Sequence, residues 1–327
     1  MTVLERPVEP RRTYDPPLPH ELIGRPRAPV VIALGGISAN RHVASSSVDP
    51  TPGWWEPQVG PSRPIDTNVW RVLGVDYLDG GRGLDGRPAR VVRTHDQAEA
   101  IALLLDQLGV ERVRAILGAS YGGMVALAFA ERFADRVDEL VVISAAHESH
   151  PMSTGLRSLQ RRVVELGLEH GCGREALAIA RGIAMTTYRT AREFGERFGM
   201  IKDCGSRIDA LGMPVPPNHM SFEVERYLAN RGARFAAVFS PERFLALSLS
   251  MDLHRVDPAA VQVPSTLVAA EGDTLVPEEQ MRALSKRLLV PGRFVRLPTI
   301  FGHDAFLKEP AKIGHILTSV LSLRVLL

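Results

Sequence analysis

Residues 116–126 read Ile116-Leu117-Gly118-Ala119-Ser120-Tyr121-Gly122-Gly123-Met124-Val125-Ala126, and the rest of the chain is organised around them. The apolar run 113–117 has the composition of a strand, and 124–130 has that of a helix, so Ser120 stands at the apex of a sharp turn between the two. Gly-x-Ser-x-Gly in that setting is a nucleophile elbow: the turn lifts a serine hydroxyl clear of a sheet and sets it on a helix N-terminus. Strand and helix backbones nearly touch there, which demands small residues two positions either side of the serine. Gly118 and Gly122 meet that demand, and Ala119 and Gly123 suit the same crowding.

Working outward, 29–34 is a β-branched run ending in Gly35-Gly36, a strand that opens into a loop able to approach a ligand closely. An elbow uses two backbone donors to hold a developing oxyanion. One is the N–H of the residue after the nucleophile, here Tyr121, and the glycine turn offers Gly35 for the other. Residues 45–66 are rich in Pro and Gly and carry Trp54-Trp55, a doublet that either caps a core or walls a pocket. Strand 70–76, helix 94–108, the elbow and strand 136–144 follow, an alternation that predicts a parallel sheet with crossover helices.

From 145 to 257 the strand rhythm stops. Helical patterns at 155–166, 174–188, 223–230 and 241–252, separated in part by 205–218 with its Pro216-Pro217 doublet, predict a helical lid inserted into the sheet domain. The core therefore comprises 29–144 and 258–327. It resumes with strand 265–270, helix 277–289, strand 294–297 and a last helix over about 305–323. The fold class is α/β, an α/β-hydrolase fold with a mostly parallel sheet, flanking helices and the inserted lid. In that fold the triad runs Ser, then Asp or Glu, then His, with the acid after one late strand and the histidine in the loop after the next. Asp273 and His303 occupy those two slots, and of ten histidines only His303 lies in a late glycine-containing loop before the final helix.

Bulk properties narrow the function classes. A net charge of +2 with scattered arginines gives no basic block for nucleic acid, and no apolar stretch approaches a membrane span. Residues 1–28 hold six prolines and no apolar core, which reads as an extended arm and not a signal peptide. Two cysteines, Cys172 and Cys204, suggest no disulfide framework and fit a reducing cytoplasm. His147 and His150 have metal-pair spacing but no third ligand in view, so no metal is expected.

The sequence also resembles a known family, the homoserine O-acyltransferases. The resemblance rests on Pro52-Gly53-Trp54-Trp55, Gly60-Pro61 and Pro64-Ile65-Asp66-Thr67, on Gly122-Gly123-Met124 in the elbow, and on Ala180-Arg181 through Thr187-Tyr188-Arg189. It ends with Gly302-His303-Asp304-Ala305-Phe306-Leu307, and extends from about Val30 to the C-terminus. It implies ping-pong acyl transfer: Ser120 takes an acyl group from acyl-CoA with His303 as base and Asp273 behind it, then passes that group to the hydroxyl of L-homoserine. By the same resemblance Arg181 and Tyr188 help bind the amino acid, Asp304 holds its ammonium group, CoA is a substrate and not a prosthetic group, and the lid helices build a homodimer interface. Members that use succinyl-CoA have a run similar to Arg157-Ser158-Leu159-Gln160-Arg161, so Arg157 is the expected selector of succinyl over acetyl.

The chain departs from the family at Tyr121, where methionine is usual, and at Asp76-Tyr77-Leu78-Asp79-Gly80-Gly81 with Gly83-Leu84-Asp85-Gly86. The strand pair before Val30 reads as shortened or missing. Four alternatives stand beside this reading. They are the same transfer from acetyl-CoA, a plain serine hydrolase with water as acceptor, a non-catalytic relative, and the same enzyme type with L-serine as acceptor, which one methylene barely separates from homoserine.

Overall fold

A computed structural model describes residues 18–81, 83, 87–198 and 222–322. The expectations for 1–17, for 84–86 and for 205–218 with Pro216-Pro217 lie outside the described residues. The main sheet is built from β1 (His20–Gly24), β2 (Val30–Leu34), β5 (Arg71–Val75), β6 (Ala115–Ala119), β7 (Leu140–Ile143), β8 (Ser265–Ala270) and β9 (Arg293–Leu297). Two further strands, β3 (Val59–Gly60) and β4 (Ile65–Asp66), pair with each other in the tryptophan loop. The sheet order is β1-β5-β2-β6-β7-β8-β9, parallel throughout except that β1 runs antiparallel to β5. β6, which delivers the elbow, is the central strand.

Alternation along the strands divides the core into two layers. Ile32, Leu34, Ile116, Leu140 and Val142 face α1 (Thr94–Gln107) and α2 (Tyr121–Arg132). Val31, Ala33, Leu117, Val141 and Ile143 face the opposite layer, which Trp55 and the C-terminal helix fill. Between β7 and β8 lie α3 (Pro151–Glu169), α4 (Gly173–Tyr188), α5 (Ala191–Phe198), α6 (Glu223–Val238) and α7 (Pro241–Asp252). Then come α8 (Glu278–Arg287), the short α9 (Ala305–Lys308) and α10 (Pro310–Ser322).

Several boundaries differ from the sequence reading. The arm read over 1–28 contains β1: His20–Gly24 pairs along its whole length with Val75–Arg71, so one strand does precede Val30. Its place at the sheet edge tolerates the flanking Pro19 and Pro26, which made it read as unpaired. The strand read over 136–144 shortens to Leu140–Ile143, because Ala134–Arg136 closes a 3-10 turn and Arg136 turns back to Asp106 and the Val110 carbonyl. The last helix breaks at Glu309, since Pro310 has no N–H to continue α9 and instead starts α10. α5 had not been anticipated, and α6 runs two turns beyond residue 230.

Candidate active site

Ser120 sits between β6 and α2 with φ 53° and ψ −120°, the strained turn of a nucleophile elbow. The crowding inferred from the glycines is real. A Cβ on Gly122 would lie 2.2 Å from the Leu34 carbonyl oxygen, and one on Gly118 would lie 2.4 Å from that of Gly122. Asp273 follows β8 through a turn made possible by Gly272 at φ +70°. His303 lies in a 3-10 turn opened by Gly302 at φ +55°, immediately before α9.

These three side chains, 30 and 183 residues apart in sequence, form one chain of contacts. His303 Nε2 is 2.8 Å from Ser120 Oγ, and His303 Nδ1 is 2.8 Å from Asp273 Oδ2. The second Asp273 oxygen accepts the N–H groups of Leu275 and Val276, so the carboxylate cannot turn away from the ring. Burial alone would push His303 down, but the charge and hydrogen bond of Asp273, helped by Asp304, outweigh it and raise the imidazole above its ordinary value. His254 makes the contrast. It is as deeply buried, bonded only to Thr94 and the Ala146 carbonyl, and burial pushes it down to about 3.

The first N–H groups of α2 have no acceptor within the helix. That of Gly122 goes to the Gly35 carbonyl and that of Gly123 to Ser120 O, and the Met124 N–H makes the first helical bond to the same Ser120 O. The Tyr121 N–H takes no backbone acceptor among the described residues, as an oxyanion donor requires. For the other expected donor, the turn places Gly36, and not Gly35, at the cavity wall. Gly35 presents its carbonyl to Gly122 and Tyr77, and Gly36 lines the cavity at Ser120. Gly35 itself is packed against Trp54 and Ala39, with no room for a side chain. The tryptophan doublet takes both of its possible roles. Trp55 is buried with its indole N–H on the Phe306 carbonyl, and Trp54 stacks on it and walls the cavity.

Two chambers open on the Ser120 hydroxyl, and Ser120, His303 and Met251 line both. The larger encloses about 640 Å³, open mouth included, and brings together Arg181, Tyr188 and Asp304. Arg181 lies 5.0 Å from the Tyr188 ring centre and 4.7 Å from that of Phe235. It has no carboxylate partner among the described residues. Asp304 is held from behind by Arg189, whose Nε donates at 2.8 Å while its Nη1 donates to Glu193. Arg189 and Glu193 were not singled out from the sequence, although Arg189 stands next to Tyr188 in the motif.

The smaller chamber, about 360 Å³ with open solvent included, is lined by Arg157, Glu148, Ser144, Ser149 and Gln280. Arg157 is not an isolated cation. Its Nε donates to Asp252 Oδ1 at 2.7 Å, its Nη2 meets Ser149 Oγ, and Arg161 donates to the other Asp252 oxygen at 2.5 Å. Two guanidinium groups share one buried carboxylate, which leaves one positive charge without a counter-ion in the cluster. The Ser144 hydroxyl, buried at φ 49°, also lacks a partner among the described residues.

As for metals, His150 caps α3 and His147 meets Arg287, so the pair does not gather. Among the described residues, three ligating groups converge only at Glu21, His42 and Asp49, at the sheet edge, where His42 already bonds Glu21 and the Thr51 carbonyl. No helix among the described residues is long and apolar enough to cross a membrane.

Residues 29–167 match the sequence profile of the alpha/beta hydrolase fold. The homoserine O-succinyltransferase of Xanthomonas campestris pv. campestris is 44% identical over 93% of this chain and 78% of its own length. The L-serine/homoserine O-acetyltransferase of Streptomyces lavendulae is 34% identical over 87% of this chain and 85% of its own. Among solved structures, the homoserine O-acetyltransferase of Bacillus anthracis superposes with a TM-score of 0.79 at 17% identity, covering 92% of this chain and 91% of that one.

Proposed function

The chain belongs to the homoserine O-acyltransferase family of the α/β-hydrolase fold, and on that premise we propose that it transfers succinyl from succinyl-CoA to the hydroxyl of L-homoserine. The observation that carries this reading is the pair of chambers meeting at Ser120, one walled by the Arg157 guanidinium and the other with a separated cation and anion. A succinyl group differs from acetyl by a carboxylate, and a buried carboxylate needs a cation. An amino acid is a zwitterion and needs one group of each sign; Arg181 suits its carboxylate and Asp304 its ammonium.

In the first half-reaction His303 takes the Ser120 proton, and Ser120 Oγ attacks the thioester carbonyl. The Tyr121 and Gly36 N–H groups hold the oxyanion, and the intermediate collapses as the CoA thiolate leaves with the proton from His303. The second half-reaction repeats these steps with the homoserine hydroxyl as nucleophile, giving O-succinylhomoserine and free Ser120. These steps use only side chains, backbone amides and the thioester, so the reading calls for no resident cofactor or metal. A role in methionine biosynthesis and a cytoplasmic location follow from the substrates.

A homodimer is part of the same reading. Met152, Leu159 and Leu166 are exposed at 64%, 65% and 42%, and their seven-residue spacing sets them along one face of α3. Sedimentation should give twice the chain mass, and Leu159→Glu should give the monomer.

The decisive test is mass spectrometry of the intact protein after mixing with each acyl-CoA. Succinyl-CoA should add one succinyl mass that disappears on adding homoserine, and Ser120→Ala should abolish the adduct. Loss of the adduct at the same rate with water alone would make the protein a hydrolase.

A further inference from the structure

The Gly35–Gly36 peptide must hold one orientation that its own residues do not enforce. Both residues of this peptide are glycines, so neither has a Cβ to restrict the backbone torsions on either side of it. Rotation would matter, because it would present a carbonyl, and not an N–H, to the oxygen that gains charge during acyl transfer.

Two hydrogen bonds oppose it. The Gly35 carbonyl accepts the Gly122 N–H at 2.9 Å and the Tyr77 hydroxyl at 2.7 Å. N–H and C=O point in opposite directions across a trans peptide. A carbonyl turned inward to Tyr77 and Gly122 therefore turns the Gly36 N–H toward the cavity that Gly36 lines.

Tyr77 is itself fixed on every side. It is buried, and its ring meets that of Tyr121 edge-on with centres 4.8 Å apart. The backbone of the next residue, Leu78, is bonded at both its N–H and its carbonyl to the Gln97 amide. Gln97 also donates to the Tyr121 hydroxyl, which in turn meets Ser250 on α7 at 2.8 Å. Burial raises the Tyr77 hydroxyl well above its ordinary value, so it remains a donor across the working pH range.

We propose that Tyr77 is a positioning residue for acyl transfer at Ser120: its hydroxyl, donated to the Gly35 carbonyl, holds the Gly36 N–H on the oxyanion. The proposal rests on acyl transfer through Ser120, but on neither the donor nor the acceptor assigned above. An accepted hydrogen bond also polarises the peptide, which strengthens the N–H as a donor.

Tyr77→Phe removes the hydroxyl and keeps the ring. Loss of a whole oxyanion donor costs about 100- to 1,000-fold in turnover, and loosening one should cost about tenfold. The assay uses p-nitrophenyl acetate and succinyl-CoA in parallel, with the Kd of a phenylboronic acid as a reporter of the tetrahedral state. Tyr77→Phe should lower kcat for both acyl donors about tenfold and raise the boronate Kd by a similar factor. KM should stay within twofold, and the melting temperature within a few degrees. Wild-type kcat and boronate affinity would overturn the proposal. So would a fall in kcat that comes with a collapsed melting temperature and an unchanged boronate Kd. If the wild-type protein forms no acyl-enzyme with either donor, the premise fails, and Tyr77 is not the cause.

Discussion

Replacing Arg157 by leucine should convert donor preference without disabling the nucleophile. The Arg157–Asp252–Arg161 cluster carries one excess positive charge, and the tail of a bound succinyl group would bring the carboxylate that balances it. A charge-assisted hydrogen bond in such a place contributes about 2–3 kcal/mol, which corresponds to ~30- to 150-fold in kcat/KM for succinyl-CoA. Acetyl-CoA has no group to lose, and its kcat/KM should stay within a few-fold. The fold should survive, because Asp252 keeps its bond to Arg161. Asp252→Asn supplies the opposite sign: it removes the carboxylate that competes for Arg157, so preference for succinyl should persist or increase. Steady-state rates with both donors for the three proteins decide the matter. An Arg157→Leu enzyme that retains the wild-type ratio of the two kcat/KM values would refute the reasoning, whatever its absolute activity.

Asp304→Ala should raise the homoserine KM by about 10- to 100-fold while leaving acyl-enzyme formation measurable by mass; loss of the first half-reaction would mean that Asp304 serves mainly to anchor Arg189. The pH profile of kcat/KM for the acyl donor should rise through the His303 pKa, since the protonated ring cannot accept the Ser120 proton, and that limb should lie above the ordinary histidine value. In Asp273→Asn burial is no longer opposed by the carboxylate, so the limb should move to lower pH while the plateau falls by about 10⁴; a limb that stays in place would remove Asp273 as the cause. Gly122→Ala puts a methyl group 2.2 Å from the Leu34 oxygen and should destabilise the protein by more than the ~1–3 kcal/mol usual for overpacking, which thermal unfolding would show as a lowered melting temperature; an unchanged one would refute the crowding.

The parts of the site that could be read from the sequence are those set by local constraints. The elbow is legible because close approach of β6 and α2 admits only small residues at 118 and 122, and that restriction is written in five consecutive positions. Asp273 and His303 are legible because each lies in the loop after a late strand, so chain order gives their place. What escaped depends on distant pairing. Asp252 reaches Arg157 across 95 residues, and Arg189 reaches Asp304 across 115. An arginine in an amphipathic helix carries no local sign that its partner lies on another one. The contact between the Tyr77 hydroxyl and the Gly35 carbonyl has the same origin, because it spans 42 residues. β1 was missed for a different reason: an edge strand between prolines has half the hydrogen bonds of a central one and little hydrophobic pattern.

The division into two chambers also explains how a single serine could serve two nucleophilic steps in turn. A tail held in the small chamber by Arg157 would remain there while the large chamber exchanged CoA for an amino acid, so the acyl group need not move between half-reactions. His303 and Ser120 border both spaces, and the same imidazole would return a proton to the thiolate and then take one from the incoming hydroxyl. Water is the competing acceptor. On the proposed reading, homoserine would be favoured because Arg181 and Asp304, with opposite charges, line the large chamber alone, where they would hold the hydroxyl at the ester long enough to outcompete water. On this account, removing both acceptor-side charges should leave acylation intact and convert the protein into a slow succinyl-CoA hydrolase. Arg181→Leu with Asp304→Ala tests that: CoA release should become indifferent to homoserine, and continued stimulation by the amino acid would place the acceptor elsewhere.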